Sequence, residues 1–270
     1  MDANATTEVT AQAEPKPKRK GRVLRFLRLS FTILVITGFI AHFVWKYSGS
    51  GKWEKEGEKY GVVVYGLKEP GQVIKKYKAV WHMNTKLSQF VMWASDAHPP
   101  TKHSMRNEAG LYDHRVLDQD GNLRASWTTW KVPFGPYLSP REFVARAQFS
   151  QNPATKKLTY TVTGEPQRIP HNDCCVRIPL MLNTWTLTPT KAGDLEVEWF
   201  IDMDLGGNMP YFAQNTFMPK GLYRFGSRVH LFIEQDKYKD AKYDWIEEPN
   251  APTAITQTQT PVPAPLKAAS

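Results

Sequence analysis

The sequence predicts an α+β fold: an antiparallel sheet covered on one face by an amphipathic helix near the C terminus, with a transmembrane helix ahead of the folded part. Three observations carry this reading. Apolar and polar residues alternate over several stretches between residues 142 and 204, turn sequences join such stretches, and Leu222, Phe225, Val229, Phe232 and Ile233 recur at three- and four-residue spacing. Alternation belongs to strands with one buried face, and the wider spacing to a helix with one apolar stripe.

Residues 1–22 open with small and polar side chains and end in KPKRKGR, so they read as a disordered basic tail. From Leu29 to Trp45 the chain carries no Lys, Arg, Asp or Glu, and Val23 to Phe26 extend the run. At a rise of about 1.5 Å per residue, residues 23–47 are long enough to cross a bilayer. Trp45 and Tyr47 suit the interface, and no small-x-small cleavage site follows, which argues for an uncleaved anchor rather than a signal peptide. Seven basic residues precede the uncharged run Leu29–Trp45 (Lys16, Lys18, Arg19, Lys20, Arg22, Arg25, Arg28) and four follow it (Lys46, Lys52, Lys55, Lys59). The expected orientation therefore has the N terminus cytoplasmic and the folded part across the membrane, periplasmic if the membrane is a bacterial inner one.

Residues 50–248 are expected to form one domain, and residues 249–270, rich in Pro, Thr and Ala, a disordered tail. The net charge of +9 is misleading, because without the seven basic residues near the span 28 basic side chains face 26 acidic ones. No broad basic surface remains for nucleic acid. Nine Trp, eleven Tyr and thirteen Phe instead suit a large core or cavity wall. Cys174 and Cys175 are adjacent, with alpha carbons about 3.8 Å apart, below the usual disulfide range, so no structural disulfide is expected.

The clearest strand is Gly193 to Asp204, where Leu195, Val197, Trp199, Ile201 and Met203 share a face. Leu158, Tyr160 and Val162 alternate with threonines, as do Trp185 and Leu187, while DQDGN at 118–122 and NPATK at 152–156 mark hairpin turns. In the strand Glu142 to Ser150, alternation puts Phe143, Ala145, Ala147 and Phe149 on one face and Val144, Arg146 and Gln148 on the other. Two alanines between two phenylalanines leave a slot, with Trp130, Trp185 and Trp199 as candidates for the opposing wall. Helices are expected from Thr85 to Ser95 behind a cap at Asn84, from Pro210 to Phe217, and from Lys220 to Gln235. Lys220, Arg224 and Arg228 would form a basic ridge on the last of these.

Catalytic signatures are absent: there is no GxSxG, HExxH or phosphate-binding loop. His171, Asp173, Cys174 and Cys175 alternate in direction on an extended chain, which does not favour a metal. The acid pairs Glu56 and Glu58, and Glu247 and Glu248, read as solvated surface.

Four segments resemble the START (steroidogenic acute regulatory protein related lipid transfer) family within the helix-grip fold: GVVVYGLK at 61–68, LSPREFVARAQF at 138–149, VRIPLMLNTWTLTP at 176–189 and DLGGNMP at 204–210. The resemblance covers about residues 53–235. It implies a curved antiparallel sheet wrapped around a long C-terminal helix and a cavity for one lipid or other sterol-like hydrophobic ligand, without a cofactor. The residues it points to as lining are Thr128, Trp130, Phe143, Ala145, Ala147, Phe149, Trp185, Trp199, Phe212, Phe225 and Val229. Phe134, Tyr137 and Leu138, in a Gly- and Pro-rich loop, would form the lip and touch the membrane. In sterol-binding members an arginine six residues after the motif arginine pairs with an acid on the preceding strand; Ala147 and Thr128 stand there, leaving Thr128, Ser126 or His82 to meet a hydroxyl. The expected function is binding a single hydrophobic ligand and carrying or presenting it at a membrane. The alternative is a cyclase-like enzyme on the same fold.

Overall fold

A computed structural model describes residues 20–96, 112–120, 124–132 and 138–249. The chain divides after Lys46 into two units. The first contains α1, Lys20–Tyr47, whose stretch Val23–Tyr47 is long and apolar enough to span a membrane. Its large apolar side chains, among them Phe26, Phe31, Leu34, Phe39 and Val44, are exposed around the helix, as suits a lipid surround better than a protein core.

The second unit is built on a ten-stranded sheet with the order β1-β2-β3-β10-β9-β7-β6-β5-β4. The strands are β1 (Trp53–Lys59), β2 (Val62–Leu67), β3 (Lys76–Met83), β4 (Tyr112–Gln119), β5 (Ala125–Val132), β6 (Arg141–Gln151), β7 (Leu158–Gly164), β8 (Val176–Arg177), β9 (Leu180–Pro189) and β10 (Leu195–Asp204). Every neighbour along that path is antiparallel, and β8 pairs in parallel with the start of β6. The alternation of the sequence reappears as burial: on β10, Leu195, Val197 and Ile201 are buried while Glu196 is exposed. The sheet is curved, and its apolar face is concave toward the helices.

Between β3 and β4 lies α2 (Leu87–Ser95), and α3 (Tyr211–Gly226), α4 (Val229–Ile233) and α5 (Asp236–Lys239) follow β10. The expected helices Pro210–Phe217 and Lys220–Gln235 are instead one helix through Pro219 and a break after Gly226. Pro219 has no N–H to give Asn215, whose carbonyl accepts the Tyr77 hydroxyl at 2.8 Å instead. Burial pushes the Tyr77 phenol well above its usual range, so it stays a donor. The break falls where the helix presses on the sheet, for a Cβ at Gly226 would lie 2.9 Å from Val62 Cγ2. The basic ridge is shortened accordingly: Lys220 and Arg224 are exposed on α3, whereas Arg228 lies past its end and is half-buried.

The start of α2 also differs. Asn84 is not its cap; the helix begins at Leu87, and Leu87 and Ser88 donate their N–H groups to the Glu248 carboxylate at 2.9 and 2.8 Å. Glu248 is thus a helix cap contributed from 161 residues away, not a solvated acid. Glu56 likewise pairs with Lys75 at 2.6 Å. Cys174 and Cys175, expected to stay unbridged, are joined in a disulfide within a bend that ends at β8. The bend turns adjacent side chains toward each other, as an extended strand would not, and it removes the thiolates that a soft metal would use.

Candidate ligand-binding site

The SPREF segment builds the end of the sheet on which the site rests. Arg141 is buried, and its guanidinium donates to the carbonyls of Ser139 at 2.5 Å, Leu205 at 3.2 Å and Gly206 at 3.1 Å. It thereby ties the start of β6 to the turn that enters α3, at the cost of a desolvated cation. That turn needs Gly206 and Gly207, with φ of +64° and +60°, because Val176 and Pro179 pack against it. On the other face of β6, Glu142 accepts from Arg177 at 2.7 Å and from Asn172 at 2.7 Å. Arg177 also gathers the carbonyls of Pro166, Ile169 and Pro170, which holds the loop before β8 in one shape.

From this end, register sets out the concave face in rows. Trp130 and Phe143 face each other across β5 and β6 and stack with centroids 5.1 Å apart. The next row is Thr128, Ala145 and Gly164, and the one after it Ser126, Ala147, Val162, Asn183 and Ile201. Then comes an aromatic row, Phe149, Tyr160, Trp185 and Trp199, with stacked pairs at 4.3 Å (Phe149 with Tyr160) and 4.7 Å (Trp185 with Trp199). Phe143 and Phe149 thus bound about 20 Å of strand whose inward side chains are Ala145 and Ala147. Phe143, Ala145, Ala147 and Phe149 are all buried.

The helices cover the other half. α3 packs on β1, β2 and β3, and Phe225 closes on Trp199 at 4.7 Å and on Trp185 at 5.5 Å. Trp81, Phe90 and Trp93 surround Trp185 from β3 and α2, and Val229 is buried in the same cluster. Over the small-residue rows, the described contacts come from Ile178, Met181, Leu205 and the half-buried Met203 and Met209.

Several sequence expectations change here. Trp130, Trp185 and Trp199 do not form an opposing wall; they stand on the same sheet as the alanines, at the two ends of the slot, because the register places them there. Phe212 does not line the face: it is 66% exposed, about 200° around α3 from the buried Gln214. His82 points out of the opposite face, exposed, and holds Asp194 at 2.8 Å. Arg146 lies on that outer face too, stacked on Trp127. Leu138 is half-buried, whereas Phe134 and Tyr137 lie outside the described residues, as do residues 1–19 and 250–270. Thr128 stays on the concave face opposite Ala145.

The residue that sequence reasoning passed over is Asn183. It shares its face with Met181, Trp185 and Leu187, and its parity with Trp185 was the signal that could have found it. Its Oδ1 is buried without a hydrogen-bond partner, as are the indole nitrogens of Trp199 and Trp81. Buried polar atoms are nearly always paired, so three unpaired ones on a single apolar face call for an explanation. Among the described residues, no three His, Cys, Asp or Glu side chains come together as metal ligands.

No family model matches the sequence. An uncharacterised protein of Pseudomonas aeruginosa is 22% identical over 166 residues, 62% of this chain and 79% of that one. Among solved structures, a STAR-related lipid transfer protein fragment from Xanthomonas axonopodis matches with a TM-score of 0.59 at 17% identity, covering 69% of this chain and all of the other. Human StAR-related lipid transfer protein 5 matches at 0.53 and 17% identity over 78% of this chain and 98% of its own. Human STARD10 matches at 0.58 and 11% identity, covering 74% and 79%. With its antiparallel sheet, its C-terminal helix against the concave face and these neighbours, the chain has the START fold.

Proposed function

We propose that this protein binds one hydrophobic molecule on the concave face of β5, β6, β7 and β9 and carries or presents it at the membrane that α1 crosses. The observation that carries the reading is the pair of rows around Ala145 and Ala147 between the Trp130–Phe143 stack and the aromatic row, away from the strands β1, β2 and β3 on which α3 packs. A curved sheet with small side chains on its inner face leaves room for an apolar guest. The lipid transfer proteins of the same fold support the reading by analogy of architecture.

In this proposal residues 1–22 are the cytoplasmic tail, 23–47 the transmembrane helix, 50–248 the ligand-binding domain and 249–270 a tail, with the domain periplasmic. The ligand needs no catalytic group. The test is to purify the chain from membranes in mild detergent and identify what leaves with it by native mass spectrometry. A stoichiometric hydrophobic species supports the reading, and an empty protein that takes up no lipid from liposomes refutes it.

A further inference from the structure

Resting on that ligand-binding reading, we infer that the site selects an uncharged ligand carrying one hydrogen-bonding group such as a hydroxyl, and that Asn183 is the residue that meets it. Asn183 sits in the middle of the concave face, between Val162 on β7 and Ile201 on β10. Its amide offers an acceptor and two donors, and the Oδ1 is buried and unpaired. Trp199 is its diagonal neighbour, directly across from Trp185, and brings a second unpaired group, the indole N–H. Diagonal neighbours are about 7–8 Å apart at the backbone, close enough for one small polar group to lie between the two side chains. A hydroxyl can donate to the Asn183 oxygen and accept from the Trp199 N–H at once.

Among the described residues, the same face gives a charged group no free counter-ion. On β5, β6, β7, β9 and β10 the inward positions hold a single ionisable cation among the described residues, Arg141, and its guanidinium is already occupied by the carbonyls of Ser139, Leu205 and Gly206. A carboxylate or phosphate laid against Ala145, Ala147 and Val162 would exchange its hydration for neutral donors alone, with no counter-charge, which costs more than placing a hydroxyl there. A wholly apolar ligand is disfavoured for the opposite reason, since it would leave the Asn183 amide unsatisfied. The face therefore discriminates in both directions.

The test uses the full chain in dodecyl maltoside at pH 8, loaded from equimolar pairs that share a skeleton: hexadecanol with palmitate, and cholesterol with cholesteryl sulfate. Bound ligand is extracted and counted by mass spectrometry. At least one pair should load with the neutral member favoured by about tenfold or more, and Asn183→Leu should bring that preference down by about tenfold. Hexadecane should load less than hexadecanol on the wild type and no less on the Asn183→Leu chain. Equal or preferred loading of the anions overturns this inference while leaving the ligand-binding reading intact. Failure of every probe to load overturns both. The wild-type ratio decides the matter even if the variant does not fold, and Trp199→Phe, which keeps the ring and removes the N–H, gives a second reading in the same direction.

Discussion

Ala147 faces the concave side between Ser126 and Val162, and in the proposed reading its small size makes room for the ligand. Replacing it with Trp should leave the protein folded, with a melting temperature near that of the wild type, while the co-purified ligand is lost. If instead facing side chains already fill the slot, the new ring would overpack the core and cost about 1 to 3 kcal/mol, seen as a lowered melting temperature. A folded variant with an unchanged ligand load would also count against this wall. A second residue, Asp113, is expected to contribute to the pH dependence of stability. Hydrogen bonds from Arg115 at 2.8 Å and Lys131 at 2.6 Å hold its carboxyl at about 2, well below the usual carboxylate range. Because the folded value is depressed, its contribution is present above about pH 4 and fades as pH falls toward 2. Thermal melts at pH 5, 3 and 2 should therefore show a smaller acid-induced drop for Asp113→Asn than for the wild type. An equal drop would show that the group does not matter to acid unfolding.

At the scale of elements, α3 depends on a hydroxyl from the sheet. Tyr77→Phe leaves the Asn215 carbonyl without a donor, since Pro219 cannot supply one, and should cost about 1 to 2 kcal/mol in denaturant unfolding. In a Pro219→Ala chain the helix regains its own N–H for that carbonyl, so the same Tyr77→Phe change should cost clearly less. Equal costs in the two backgrounds would remove the coupling. α2 is held in a comparable way: Glu248→Ala leaves the N–H groups of Leu87 and Ser88 without their carboxylate and should cost about 1 kcal/mol, while Glu58→Ala, at an exposed position, should be close to neutral. Matching effects of the two substitutions would show that the cap does not stabilise α2.

For the whole molecule, the proposed lip is the loop whose last residues, 138–140, lead into the Arg141 end of β6. If that loop is the lip, changing Phe134 and Leu138 together to Ser should slow exchange of a fluorescent lipid between the anchored protein and liposomes by several-fold, with little change in thermal stability. Exchange at the wild-type rate would place the entrance elsewhere. The exposed Lys220 and Arg224 on α3 offer a contrast, because a contact through them would weaken with added salt, whereas one through the loop would not.

Much of the fold was legible in the chain. Alternation depends only on which side chains share a strand face, so the strands and the buried side of β6, from Phe143 to Phe149, followed from order along the sequence. The apolar run of α1 was legible for the same local reason. What only the tertiary structure decided was pairing between distant segments. Register turned Trp130, Trp185 and Trp199 from an opposing wall into the ends of a slot, and it brought Asn183 between Val162 and Ile201. A distant carboxylate capped α2, a tyrosine from β3 let α3 run through a proline, and the direction of α3 turned Phe212 outward. Local sequence sets which face a residue occupies on its own element, but what stands opposite it depends on contacts between residues far apart in the chain.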